Sequence, residues 1–189
     1  MEGSSGPSWS PANPAPLGLA GFAMTTFILS MVNSKLVGTA ALGGMVPLAL
    51  VYGGVAQLLA GMWEFRTGNT FGAVAFTSFG AFWLSVYFGA GTLTGHANAL
   101  FLWSWAIFTV YMTVAAIRVS GSVLLVFVLL SITFILLAIG NMGGGHSSIV
   151  QAGGYVGIAT AIAAWYASFG AVVNSTFGKE VVPLFPAKQ

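Results

Sequence analysis

The sequence predicts an all-α integral membrane protein, a bundle of six transmembrane helices in a single domain. Three observations carry that prediction. Of 189 residues, 57% are hydrophobic and only 4% are charged, too few charges to cover the surface of a soluble domain this size. The apolar residues gather in six long runs free of Asp, Glu, Lys and Arg, and about 20 such residues span a bilayer as a helix. The segments between the runs are short, so little chain is left for anything outside the membrane.

In chain order, residues 1–12 form a polar Ser/Gly/Pro-rich tail. It carries Glu2 but no Lys or Arg, unlike the basic start of a cleaved signal peptide, and is expected to be retained. The transmembrane domain covers residues 13–175, and a short tail follows at 176–189. The first span, Pro16–Val32, is entered through Asn13-Pro14-Ala15-Pro16-Leu17-Gly18-Leu19. Asn13 suits an N-cap, because its side-chain oxygen can accept from first-turn amides. Pro14 then falls at the first helical position, where a missing N–H costs nothing. Pro16 is still inside the first turn, whose amides have no intrahelical partner. The expected result is a rigid helix start with its positive dipole end bare. It reads either as a helix cap alone or as a place to meet an anion.

The second and third spans are Gly43–Trp63 and Phe71–Ala90. Between them Thr67-Gly68-Asn69-Thr70 makes a tight turn, Gly68 suiting the position after a helix and Asn69 or Thr70 an N-cap. The fourth and fifth spans are Asn98–Ile117 and Val119–Gly140, and Gly143-Gly144-Gly145 after Asn141 gives a flexible break. The sixth is Ser147–Val173, where Gly153, Gly157 and Ala161 recur every fourth residue. Small residues so spaced let helices approach closely, within one subunit or between subunits. With six spans, both termini share a side with Arg66, Arg118, Lys179 and Lys188, while the opposite loops hold Lys35 and the two histidines. The excess of positive charge places both ends in the cytoplasm, and the expected location is a cell (inner or plasma) membrane.

Several classes of function are excluded. Without cysteine there is neither a disulfide framework nor a thiolate site. His96 and His146 are the only histidines; both stand in predicted loops with no carboxylate or thiol nearby, so they read as solvated side chains, not metal ligands. No cofactor is expected. A net charge of +2 with scattered basic residues gives no footprint for nucleic acid. No nucleophile or acid–base pair is visible, so the chain does not read as an enzyme. Glu64, two residues before Arg66 at a helix end, reads as an interfacial ion pair or as a residue at the mouth of a path.

What remains is neutral polar residues at helical spacing. Gly18, Phe22, Thr25 and Leu29 share one face of the first span, and Gly53, Gln57, Ala60 and Glu64 share one of the second. Phe76, Phe79 and Trp83 make an aromatic stripe on the third. Leu130, Phe134, Leu137 and Asn141 align on the fifth. The stripe could be packing alone. An amide such as Gln57 near mid-membrane must find partners or line a wet path. Together these faces sketch a narrow path that passes a small solute by replacing part of its hydration. Absence of charge within the spans favours passive conduction of a small anion, or its neutral acid, over protein-mediated proton coupling. Proton symport through Glu64 or a histidine, and a non-transporting scaffold, are the competing readings.

The sequence resembles the acetate uptake transporter family, the succinate–acetate permeases. The resemblance rests on Asn13-Pro14-Ala15-Pro16-Leu17-Gly18-Leu19 and the following Gly21-Phe22 and Met24-Thr25-Thr26. It rests equally on Tyr52-Gly53-Gly54-Val55-Ala56-Gln57, Gly68-Asn69-Thr70-Phe71-Gly72, Ala75-Phe76-Thr77-Ser78, Phe82-Trp83-Leu84 and Leu137-Ala138-Ile139-Gly140-Asn141. It implies a six-helix protomer with cytoplasmic termini, assembled with lipid as a ring-shaped homohexamer in which each protomer carries its own acetate pathway. It implies a constriction at Phe22, Phe79 and Leu130. Here the chain departs from the family, which normally has Tyr where this sequence has Phe79, and so lacks a hydroxyl donor at the narrowest point. Thr25 and Gln57 match polar pathway positions, and Ala164 a small residue whose size limits the carboxylate that passes. The candidate pathway residues are thus Asn13, Pro14, Pro16, Phe22, Thr25, Gln57, Thr77, Phe79, Leu130, Asn141 and Ala164. The function implied is passage of acetate and related small monocarboxylates, with succinate a further candidate, by a channel or facilitator or, alternatively, a proton symporter.

Overall fold

A computed structural model describes residues 9–142 and 145–187. Glu2, most of the N-terminal tail, Gly143, Gly144 and Lys188 lie outside the described residues. Seven α-helices occur in the order α1 (Ala15–Asn33), α2 (Leu42–Leu50), α3 (Gln57–Thr67), α4 (Thr70–Phe88), α5 (Gly95–Ala116), α6 (Gly121–Gly140) and α7 (Ser147–Phe177). A 3₁₀ turn (Thr39–Ala41) leads into α2, and a π-helical turn (Val51–Ala56) joins α2 to α3. The whole stretch Thr39–Thr67 is one crossing unit, giving six helices long and apolar enough to span a membrane. Their ends fall within four residues of the expected ones.

The second span is where expectation and structure part. A straight helix over Gly43–Trp63 is replaced by a helix with an internal Pro47, then the π-helical turn. Pro47 has no N–H to give the carbonyl one turn earlier, and the Gly53-Gly54 pair tolerates the widened turn that follows. Tight packing explains why glycine is needed there. A methyl on Gly53 would meet Thr25 Oγ1 of α1 at 2.6 Å and Trp83 of α4 at 2.9 Å.

The starts of α1, α4 and α6 and the end of α3 follow their capping residues. Asn13 Oδ1 accepts from the Ala15 amide at 3.0 Å, and Pro14 is already in helical conformation. Gly68 adopts φ 78° as α3 ends, and Asn69 Oδ1 accepts from the Gly72 amide at 3.1 Å. Ser120 caps α6 by accepting from Val123 N at 3.2 Å.

Helix α1 lies against α7, α7 against α6, α6 against α5, and α3 against α4. The small-residue stripe of α7 works within the protomer. A Cβ on Gly154 would collide with the backbone at Ser34, and one on Gly157 with the Ser30 hydroxyl of α1; on Gly153 it would meet Leu137 of α6. After α7 the chain turns back at Gly178 (φ 66°) and is strapped along the ends of α6 and α7. Asn174 Oδ1 accepts from Val181 N and Val182 N, its Nδ2 donates to Val182 O, and Tyr166 Oη donates to Pro183 O. The α6 amides of Gly121 and Ser122 donate to Phe185 O and Leu184 O. At the same end, Trp9 meets Trp63 edge-on at 6.2 Å.

Candidate functional site

Three cavities stand in line along α1 with no gap between their linings. Nearest the middle of the bundle, about 20 Å³ is enclosed by Leu19, Phe22, Gln57, Ala75, Phe76, Phe79, Val126, Phe127 and Leu130. Phe22 and Leu130 are shared with a second cavity of about 30 Å³, which adds Thr26, Ser30, Asn33, Trp83 and Thr133. Asn33, Leu29, Phe82 and Leu137 are shared in turn with a vestibule of about 320 Å³ that includes Asn98 and Asn141. No Asp, Glu, Lys, Arg or His lines any of the three.

The narrow part is aromatic. Phe22 and Phe79 lie 5.7 Å apart between ring centroids. Phe79 also touches Trp105, Phe108, Phe127 and Phe134 at 5.3–6.4 Å and is 3% exposed. Beyond Phe79, towards the start of α1, the line ends at Leu19, Ala75 and Phe76, whose ring fills the space over Gly18.

Polar atoms without a protein partner punctuate this line. Gln57 Oε1, Thr26 Oγ1 and Trp83 Nε1 are all buried and unpaired within the protein, as are Glu64 Oε1 and Thr77 Oγ1 away from the line. Buried polar atoms are ordinarily satisfied, so three in a row suit a path whose partner is a passing solute. Thr26 Oγ1 and Trp83 Nε1 can donate to a carboxylate oxygen, replacing part of its hydration. In the vestibule Asn98 Nδ2 donates to Asn141 Oδ1 at 3.1 Å, and Asn141 Nδ2 to Leu137 O at 2.8 Å.

Of the residues singled out from sequence, Phe22, Gln57, Phe79, Leu130 and Asn141 line the cavities. Thr25 does not. It is fully buried against Gly53, and its hydroxyl donates to Gly21 O at 3.0 Å. The next residue, Thr26, is turned about 100° further round the helix, and with Ser30 and Asn33 forms the polar face towards the cavities. That i, i+4, i+7 spacing was readable in the sequence. Thr77 packs on Gly61 of α3 instead of facing the line, and Ala164 is buried in the α7 core outside these three linings.

Asn13, Pro14 and Pro16 sit at the opposite end of α1, beyond Phe76. The helix start is not bare. The Ala15 amide is taken by Asn13, the Leu17 and Gly18 amides donate to Pro14 O, and the two prolines have none to offer. Glu64 does not pair with Arg66. It is 1% exposed, and its Oε2 accepts from Thr67 Oγ1 at 3.1 Å and Asn69 Nδ2 at 2.9 Å. Arg66 instead lies over the Trp9 ring at 5.4 Å. His96 belongs to the first turn of α5, not to a loop, and like His146 is exposed. Among the described residues no cluster of three or more His, Cys, Asp or Glu could hold a metal.

The sequence and the fold are similar to those of known proteins. The chain is 41% identical over 182 residues to the succinate-acetate/proton symporter SatP of Escherichia coli (strain K12), covering 92% of this chain and 95% of that one. It is 35% identical to acetate permease A of Emericella nidulans over 195 residues, 92% of this chain and 65% of that one. The fold matches the structure of the bacterial acetate channel SatP with a TM-score of 0.85 at 37% identity, covering 93% of this chain and 99% of that chain. Six membrane-capable helices and these relatives make this a multi-pass membrane protein. The model of the GPR1/FUN34/yaaH family matches residues 4–186, and the chain belongs to that family.

Proposed function

We propose that this protein passes acetate and related small monocarboxylates across a cell membrane, acting as an anion channel or facilitator and not as an enzyme. The observation that carries the reading is the uncharged line of cavities, narrowed between Phe22, Phe79 and Leu130 and studded with unpaired polar atoms. A fixed cation in that line would hold an anion tightly, whereas conduction needs sites weak enough to leave. The names of the relatives, an acetate channel among them, point to the same solute. In this reading both termini are cytoplasmic, because Arg66, Arg118 and Lys179 gather at one end against Lys35 at the other. Six protomers form a ring, each with its own path.

The test is electrical. Protein in a planar bilayer under acetate gradients at fixed pH should give a reversal potential that follows acetate and ignores an imposed pH gradient. No acetate flux beyond the neutral-acid leak would end the proposal. A reversal potential that moves with pH would replace it with proton symport.

A second prediction concerns the departure at Phe79. Phe79→Tyr places a hydroxyl among the rings at the narrowest point and should change acetate conductance about fivefold, the worth of one net hydrogen bond. Identical conductance in the two proteins would remove position 79 from the constriction.

A further inference from the structure

At the end of the bundle where the vestibule lies, the loop after α1 carries Lys35. The chain holds five Lys and Arg and three Asp and Glu, and Lys35 is the only one of them in the α1–α2, α4–α5 and α6–α7 connections. No acidic residue in those connections offsets its charge. Lys35 also holds a left-handed backbone, φ 61°, a region that a side-chain-bearing residue occupies at a cost.

The placement gives that charge a use. Lys35 borders an open depression of about 350 Å³ together with Gly140, Asn141, Gly145, His146 and Ser147. Asn141 and Val150 line both this depression and the vestibule, so the two spaces meet at Asn141. A depression that carries charge of one sign concentrates counter-ions and raises their rate of arrival. The line beyond has no charge of its own, so the attraction ends where desolvation begins. Weak capture outside and no trap inside is what throughput of an anion requires.

We propose that Lys35 is an anion-collecting residue for the pathway: it draws small carboxylate anions into the depression and delivers them past Asn141 to the vestibule. This rests on the carboxylate reading above. Lys35 sets the rate of arrival from its own side of the membrane and touches none of the constriction.

The absence of native cysteine makes the test clean. Lys35→Cys is reconstituted and modified from the Lys35 side with a methanethiosulfonate bearing either an ammonium or a sulfonate. Acetate flux is measured at constant pH. At about 10 mM ionic strength, where screening extends over roughly 30 Å, Lys35→Cys should lose about two- to threefold of the wild-type flux. The ammonium adduct should restore it, and the sulfonate adduct should lower it by a further factor of about two to three. At about 1 M salt, with a screening length of roughly 3 Å, all forms should converge. Equal flux for the two adducts at low salt, or a deficit that salt does not erase, overturns the proposal. Wild-type protein with no acetate flux above the leak would overturn the transport reading and this inference together. Wild-type flux with adduct-independent Lys35→Cys flux would overturn this inference alone.

Discussion

Leu130→Trp is expected to reduce acetate flux roughly ten- to a hundredfold while leaving a folded protein. Leu130 is 3% exposed and borders both of the small cavities, about 20 and 30 Å³. An indole at that position must occupy the space between Phe22 and Phe79, where no slack remains to receive it. Overpacking a buried site costs about 1–3 kcal/mol. Imposed on the solute's route instead of on the resting fold, that range raises the crossing barrier by one to two decades. The matching control is Leu125→Trp, on the same helix but 52% exposed on its outer face; it should conduct as the wild type does. Leu130→Trp protein that elutes normally and conducts at the wild-type rate would show that solute does not pass between Phe22 and Leu130.

Glu64→Ala should destabilise the protein by about 3 kcal/mol, read as a fall in melting temperature of roughly 6–12 °C. The Glu64 carboxylate is the hub of the α3–α4 turn. It receives Thr67 and Asn69, while the Glu64 carbonyl receives the Asn69 amide and the Thr67 hydroxyl. Asn69, held in that way, caps α4 through Gly72. Gly72 has no side chain because a Cβ there would lie 2.7 Å from the Glu64 carboxyl carbon. Removing the carboxylate orphans Asn69 Nδ2, leaves the Thr67 hydroxyl only the main-chain carbonyl, and loosens the cap. Glu64→Gln keeps an acceptor oxygen for both and should lose only about 1 kcal/mol. The pair of variants also speaks to proton coupling. If Glu64 is a lock and nothing more, Glu64→Gln keeps wild-type acetate flux and its pH response. Abolished uphill uptake in a Glu64→Gln protein of normal stability would make Glu64 a proton carrier.

The fold was legible because bilayer spans obey a coarse rule: the six apolar runs and the turn residues Gly68 and Asn69 define the helices with little interference from tertiary context. The interruption in the second span was less so. Pro47 and Gly53-Gly54 each signal trouble in a helix, but only the fit of Gly53 beneath Thr25 and Trp83 turns the signal into a π-helical turn. For the site, the meeting of Phe22, Phe79 and Leu130 was legible through the family resemblance, since spacing alone put them on faces of separate helices. Phe22, Phe79 and Leu130 meet because bulky side chains must fill the centre of the bundle. Thr25 and Thr26 are chemically alike and adjacent, and which of them faces the cavities depends on the rotation of α1 against its neighbours. That rotation is fixed by contacts such as Gly154 on Ser34 and Gly157 on Ser30, which no local pattern encodes. Glu64 misled for a related reason. Its nearest opposite charge in sequence is Arg66, yet the turn's own hydroxyl and carboxamide were closer in space.

The strap after α7 bears on how the molecule is made. During synthesis α6 enters the membrane long before residues 182–186 leave the ribosome, yet those residues accept from the first amides of α6 and fill the notch at Gly170. Until they arrive, the Gly121 and Ser122 amides have only water or lipid headgroups to serve them. That edge of the α6–α7 pair is therefore sealed last, after every span is in place. A nascent chain and a finished one differ at that edge, and cellular quality control could read the difference.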